Sequence, residues 1–251
     1  MASAFGTSYR FRPPGAAGRV ARWAVAVHAF ALAGGGAASI VFATGDGQWR
    51  LEQATTTSGG VWAFGPMIGP MRAVFAVQAV TSLVAMVGWL TWQSRATENA
   101  WATHAAMRVT PGWAVLWWFI PFANMGKPAG AVSQLVRSTD PASRSRRGDG
   151  LLVVVWWAAF LAGQILTFVG FLVLIGEGLS VASASYAVAR SSDIDEGLWV
   201  TAVGMLLQAV SAAPAIAIIG RVDRRQVALE GERAVAPAAL ASSPPPRPDM
   251  R

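Results

Sequence analysis

The side chains able to move protons in this 251-residue chain are few and scattered. General acid–base work on a lipid or isoprenoid substrate would fall to Glu98, His104 or Asp140, and no two of these form a recognisable constellation. Cysteine is absent, which excludes disulfides, thiolate metal sites and cysteine nucleophiles. With only two histidines, His28 and His104, a histidine-built metal cage is nearly excluded, and haem ligation would need the pair to converge. No catalytic residue, metal ligand or cofactor is assigned on this basis.

Three weaker groupings remain. The first is polar. Arg95 and Asn99 stand four apart and share a helical face, and Asn124 follows in a stretch broken by Pro121 and Pro128. Pro121 has no N–H and frees the carbonyl of Trp117, so these groups either line a polar pocket or satisfy a kinked backbone and a headgroup phosphate. The second is aromatic. Trp89, Trp92, Trp113, Trp117, Trp118, Trp156 and Trp157 are expected toward one leaflet, where they could form a pocket for a quinone or a lipid tail. An interfacial belt explains the same placement. The third is a set of polar groups inside apolar runs: His28, Gln78, Gln164 and Gln208. A neutral His28 hydrogen-bonded to one of the three glutamines is the plainer account of that set, although an intramembrane titratable group is also a candidate for function.

The elements that must hold these residues are apolar helices. Hydrophobic residues make up 54% of the chain and charged residues 13%, about half the charged share of a soluble domain. Four runs, at about 23–43, 73–92, 151–176 and 198–220, contain no Asp, Glu, Lys or Arg, and each reaches the roughly 20 residues that cross a bilayer core. The first is longer than the roughly 7–15 residues of a signal-peptide core and reads as an uncleaved span. Gln78, Gln164, Thr167, Gln208 and Ser211 offer hydrogen bonds between helices. Gly34, Gly35, Gly36, Gly163 and Gly170 allow close helix approach.

A fifth apolar segment, 112–125, has 14 residues and reaches only about 21 Å as a helix. The net charge of +7 decides how it runs. Its basic residues lie in short stretches between the apolar runs rather than in one patch, a pattern that argues against nucleic acid and for membrane topology. If the segment enters and leaves by one side, 17 of the 20 basic residues face the cytoplasm: four in the N-terminal tail, two before the segment, five after it and six in the C-terminal tail. The positive-inside rule therefore favours a re-entrant hairpin over 111–126, with both chain ends cytoplasmic. Thr110 followed by Pro111 is a helix start. Interfacial helices are expected on either side of the hairpin. One, over 93–107, presents Ala96, Ala100, Thr103 and Met107; the other, over 128–138, presents Ala131, Val132, Leu135 and Val136. The tails, 1–20 and 234–251, lack periodicity, and Pro244, Pro245 and Pro246 favour polyproline geometry, so both are expected to be disordered. The fold expected is an all-α integral membrane protein with four transmembrane helices and a proline-broken hairpin. Arginine outnumbers lysine 19 to 1 and alanine is abundant, the usage of a GC-rich bacterium such as an actinobacterium, which points to a bacterial cytoplasmic membrane.

Trp89-Leu90, Arg95-Ala96, Asn99-Ala100, Thr110-Pro111-Gly112-Trp113, Trp117-Trp118-Phe119-Ile120-Pro121, Asn124 and Pro128 together resemble a family of bacterial, largely actinobacterial, membrane proteins known as domain of unknown function 4328. The resemblance covers about residues 70–220. It implies a multi-span membrane protein and supplies no catalytic residues. Small size, a basic inner face and missing catalytic groups favour a non-enzymatic protein that binds a partner or organises a membrane complex, with the lipid bilayer and a protein partner or a second copy of itself as its expected contacts. The broken hairpin keeps open a subunit of an oligomeric transporter or channel, although no acidic group lies within a span to couple protons or sodium. The tryptophans keep open a lipid- or quinone-binding role.

Overall fold

A computed structural model of the chain describes residues 9–44, 65–103, 107–140, 147–183 and 191–241. Among these residues the structure is entirely helices and turns, with no strand. Six α-helices follow in order: α1 (Gly15–Thr44), α2 (Gly65–Ala102), α3 (Pro111–Leu116), α4 (Lys127–Ser138), α5 (Arg147–Ser183) and α6 (Ser191–Ala241). Stretches of α1, α2, α5 and α6 are long and apolar enough to cross a membrane, at Gly15–Thr44, Ala73–Ala102, Gly148–Leu174 and Asp195–Arg233. The chain is thus an all-helical, multi-pass membrane protein. Its outward faces carry large apolar side chains such as Val80, Leu83, Val87, Val154 and Phe168, as lipid contact requires.

Long helices of this kind need small residues where they cross. α5 and α6 meet through Gly163 and Gly170 on one side and Gly197 and Gly204 on the other, each pair seven residues apart and so on one face. A Cβ at Gly163 would lie 2.7 Å from the carbonyl oxygen of Gly204, and one at Gly170 would lie 2.7 Å from that of Gly197. The backbones therefore touch, and packing takes over the role that the hydrophobic effect plays in water. Gly35 of α1 leaves the same kind of room for the Gln78 side chain of α2, whose amide donates to the sulfur of Met205 at 3.2 Å.

The start of α1, the end of α2, the start of α5 and the end of α6 gather at one end of the bundle, called here the arginine-rich end. Gly18 of α1 lies against the carboxylate of Asp223 of α6, and the Trp92 indole of α2 donates to the same carboxylate at 2.9 Å. Asp149 of α5 pairs with Arg221 and Arg225 of α6, each at 2.7 Å.

The segment between α2 and α5 folds onto this end. Thr110 caps α3, its hydroxyl accepting the Trp113 N–H at 3.5 Å, with Pro111 in the first turn. After α3 the chain turns through Trp117–Phe122 and a 3₁₀ turn, Ala123–Met125, into α4. Phe122 has φ 63° and ψ −38°, and the Ala123 N–H donates to the Pro121 carbonyl at 2.7 Å. That is a γ-turn of the uncommon, strained hand. Both ends of the segment lie at the arginine-rich end: the Trp101 indole donates to Val109 O at 2.8 Å, and Arg225 donates to Val136 O at 3.2 Å. The turn between them reaches along α5, where the Trp157 indole donates to Met125 O at 3.0 Å. Ala131, Val132, Leu135 and Val136 are all buried, as their spacing predicts.

Three sequence expectations need correction. There is no separate interfacial helix over 93–107. α2 runs unbroken through Ala102, because no glycine or proline follows Gly88 to interrupt its hydrogen-bond ladder. Its small face is nonetheless inside, with Ala96, Ala100, Thr103 and Met107 buried. The N-terminal tail is ordered from Tyr9 onward, with helix from Gly15; residues 1–8 lie outside the described residues. α6 continues to Ala241 through an alanine-rich stretch that also takes in Pro237; residues 242–251, with Pro244–Pro246, lie outside the described residues.

Candidate functional site

Five of the tryptophans singled out by the sequence meet toward the arginine-rich end, packed on one another. Trp89 lies 5.0 Å from Trp92 and 4.9 Å from Trp156, ring centre to ring centre, and Trp118 lies 5.7 Å from Trp157. Trp156 and Trp157 are 5.3 Å apart, Trp89 and Trp118 are 6.2 Å apart, and Phe160 stacks on Trp157 at 5.5 Å. These spacings are those of favourable offset and edge-to-face pairs. Trp89, Trp92, Trp156 and Trp157 are all buried, and Trp92 is 0% exposed. Five of the seven expected pocket tryptophans are therefore a filled core in contact with one another. That is neither a lipid-facing belt nor a cavity. Trp113 is half exposed and pairs with Trp117 at 6.2 Å, and Lys127 lies 5.7 Å over the Trp117 ring. Trp117 is partly buried against the edge of the core, and Trp113 stays outside it.

Buried indoles need acceptors, and a single side chain supplies two of them. The Gln93 oxygen accepts from Trp89 at 3.0 Å and from Trp118 at 2.9 Å. Gln93 is itself buried, so its amide must present oxygen rather than nitrogen to the two donors. It ties the hairpin to α2. Sequence reasoning missed Gln93, although its position four residues after Trp89 placed it on the right face.

Asn99 is likewise spent on structure. Its oxygen accepts the Arg12 N–H at 2.9 Å, and its amide donates to the Arg12 carbonyl at 2.8 Å and to Gln226 at 3.2 Å. Gln226 in turn donates to the Ala96 carbonyl at 2.6 Å, and Tyr9 packs on Trp101 at 6.1 Å. An extended stretch ahead of α1 is thus strapped across α2 and α6 by an amide that reads its backbone. Replacing Asn99 with alanine should free that strap at a cost of about 1–3 kcal/mol, since its partners are left without it in a buried setting. Hydrogen exchange at the Arg12 amide should accelerate accordingly. Unchanged protection there would show that other contacts hold the strap.

The remaining expected site residues do not converge. Asn124 is exposed in the hairpin turn, only its backbone N–H bonding, to the Ile120 carbonyl at 3.0 Å, and Arg95 is half-buried on α2. Neither opening described below is lined by Arg95, Asn99 or Asn124. Pro121 contributes its carbonyl to the γ-turn, and buried Pro128 begins α4. The His28 ring meets the Thr81 hydroxyl at 3.1 Å rather than a glutamine. Gln208 donates to Thr167 at 2.9 Å, and Gln164 faces outward. Of the acid–base candidates, His104 lies outside the described residues. No group of three or more His, Cys, Asp or Glu that could hold a metal occurs among those described.

Two features open to the outside. A cleft of about 360 Å³ is lined by Gly148, Asp149, Arg221, Arg224 and Arg225. A larger groove of about 670 Å³ runs along the hairpin between Ser94 of α2 and Thr110, Trp113, Leu116 and Phe119. The ion pairs of the cleft were legible in principle. Asp149 precedes one apolar run and Arg221 follows another, so antiparallel neighbours place them at one level.

Comparison with known proteins gives one match. The family described as "Domain of unknown function (DUF4328)" matches residues 69–224, well over half of the chain. The match takes in nearly all of α2, the hairpin, α4, α5 and α6 as far as Arg224, and so contains the whole tryptophan cluster with Gln93, Asp149 and Asp223. No curated protein and no solved structure matches the chain. With the tryptophan-packed end of the bundle inside the matched region, this chain belongs to the DUF4328 family.

Proposed function

We propose that this protein is a non-enzymatic scaffold of a bacterial cytoplasmic membrane, holding a partner protein against its hairpin. In this reading both chain ends are cytoplasmic, and the hairpin dips into the inner leaflet and returns. The orientation is supported by the 17 of 20 basic residues that it leaves on the inner side, and by the position of both hairpin ends beside Arg225 and Trp101.

One observation carries the functional part: the groove bordered by Trp113, Leu116 and Phe119 is largely apolar, open, and mounted on the packed tryptophan core. The three side chains are 46–57% exposed while Trp118, between the last two, is anchored to Gln93. An apolar surface on a rigid mount suits a partner helix, whose ordering cost a preformed groove keeps small.

A photo-crosslinking side chain at Leu116, in cells, should give a discrete protein adduct that the W113A/F119A double variant loses. The same probe at lipid-facing Val84 should give none. Lipid adducts alone at Leu116 would refute the scaffold reading. A cysteine at position 145 should resist impermeant thiol reagents in intact cells, and labelling there would reverse the topology.

A further inference from the structure

The arginine-rich end contains a second arrangement that the tryptophan core does not use. Arg22 of α1 and Arg224 of α6 converge over Gly220. Built onto Gly220, a Cβ would lie 3.5 Å from Nη1 of Arg22 and 3.3 Å from Nη1 of Arg224. Those distances place the two nitrogens no more than about 7 Å apart, a gap that one phosphate group bridges with two charge-assisted hydrogen bonds of about 2.7–2.9 Å each. Arg22 also donates from Nε to the Gly18 carbonyl at 3.3 Å, which fixes the direction of its fork.

Nearby acidic groups offset the pair only in part. Asp149 is held by Arg221 and Arg225, and the buried Asp223, which takes the Trp92 indole on one oxygen and lies against Gly18, is the one carboxylate that interacts electrostatically with both Arg22 and Arg224. Four guanidinium groups against two carboxylates leave this end with a local excess of two positive charges. Arg224 is exposed and Arg22 half-buried, so both guanidiniums are reachable from outside; Arg224 also borders the 360 Å³ cleft, which Arg22 and Gly220 do not line.

The level of the pair also matters. Arg22 immediately precedes the apolar run of α1, and Gly220 closes the apolar run of α6. Both guanidiniums stand where hydrocarbon gives way to headgroups, the level at which a lipid phosphate lies.

We propose that Arg22 and Arg224, with Arg221 beside them, bind a phosphate group over Gly220, supplied by the headgroup of an anionic phospholipid. The site is separate from the hairpin groove and holds whichever side of the membrane this end faces, so its failure and that of the scaffold reading are distinguishable.

The test uses the full chain in nanodiscs of phosphatidylcholine with about one-fifth phosphatidylglycerol, with the lipid retained on the protein counted by mass spectrometry. Wild type should enrich phosphatidylglycerol about ten-fold over the disc average, and R22Q/R224Q should lose most of that enrichment. Gly220→Leu should lose it too without any change of charge, since the added side chain fills the gap. R22Q alone should lose much of it as well, whereas R137Q, which removes the same single charge from the exposed face of α4, should not. Unchanged thermal unfolding in the Gly220→Leu protein keeps the comparison free of misfolding. Equal losses in R137Q would reduce the effect to diffuse charge and overturn the site. Saturable binding of inorganic phosphate in phosphatidylcholine discs, with no phosphatidylglycerol enrichment, would overturn the lipid as the source.

Discussion

Replacing Gln93 with leucine should destabilise the folded protein by about 1–4 kcal/mol: the buried Trp89 indole and the part-buried Trp118 indole lose their acceptor at about 1–3 kcal/mol each, offset in part because the Gln93 amide nitrogen, buried without a hydrogen-bond partner, goes with it. Leucine preserves much of the volume and none of the oxygen. Trp89 and Trp118 donate to the same atom, so the two losses occur together and should not be additive with changes at either ring. In a Trp118→Phe background, where one donor has already gone, the further cost of Q93L should fall by roughly half. Denaturant unfolding followed by tryptophan fluorescence reads both numbers. A cost below about 1 kcal/mol for Q93L would mean that the indoles find other acceptors, and the mount under the hairpin would not depend on this amide.

The second large effect is expected far from the tryptophans, where α5 and α6 touch. A Cβ at Gly204 would lie 2.5 Å from the Thr167 nitrogen and 2.8 Å from the Gly163 carbonyl, both backbone atoms that cannot swing aside. Gly204→Ala should therefore separate the helices and cost about 1–3 kcal/mol or more, the range of overpacked cores. Gly34→Ala makes the sign of the argument visible. Nothing lies within 4 Å of that position, so it should gain roughly 0.5–1 kcal/mol from helix propensity alone. Equal and small effects at both positions would show that the crossing is looser than described.

The four spans were readable because the bilayer imposes a length and forbids charge, and both constraints are visible residue by residue. The faces of the flanking helices were readable for a similar reason: Ala131, Val132, Leu135 and Val136 fall at helical spacing and are buried. The break assumed between Trp92 and Gln93 was an error of another kind. It took the edge of hydropathy for the edge of a helix, while the backbone there has nothing to stop it. The tryptophans were hardest to read. An interfacial belt and a buried cluster ask for the same residues at the same depth and differ only in which way the rings face around the helix. For Trp156 and Trp157 that direction depends on the hairpin, which packs against them through Trp118 and Met125. The strap on Asn99 left no local trace either, because an amide that binds backbone places no demand on the residue types it reads.

The strap also bears on the order in which the molecule can be completed. Asn99 holds Arg12 on one side and Gln226 on the other, so this small knot joins residues more than two hundred positions apart. During synthesis Arg12 can meet Asn99 once α2 has been made, whereas Gln226 emerges only with α6. The same delay holds for Trp92, whose carboxylate acceptor is Asp223. The last helix's side of this knot is thus tied last, and until then the Trp92 indole and the Asn99 amide lack their partners on α6.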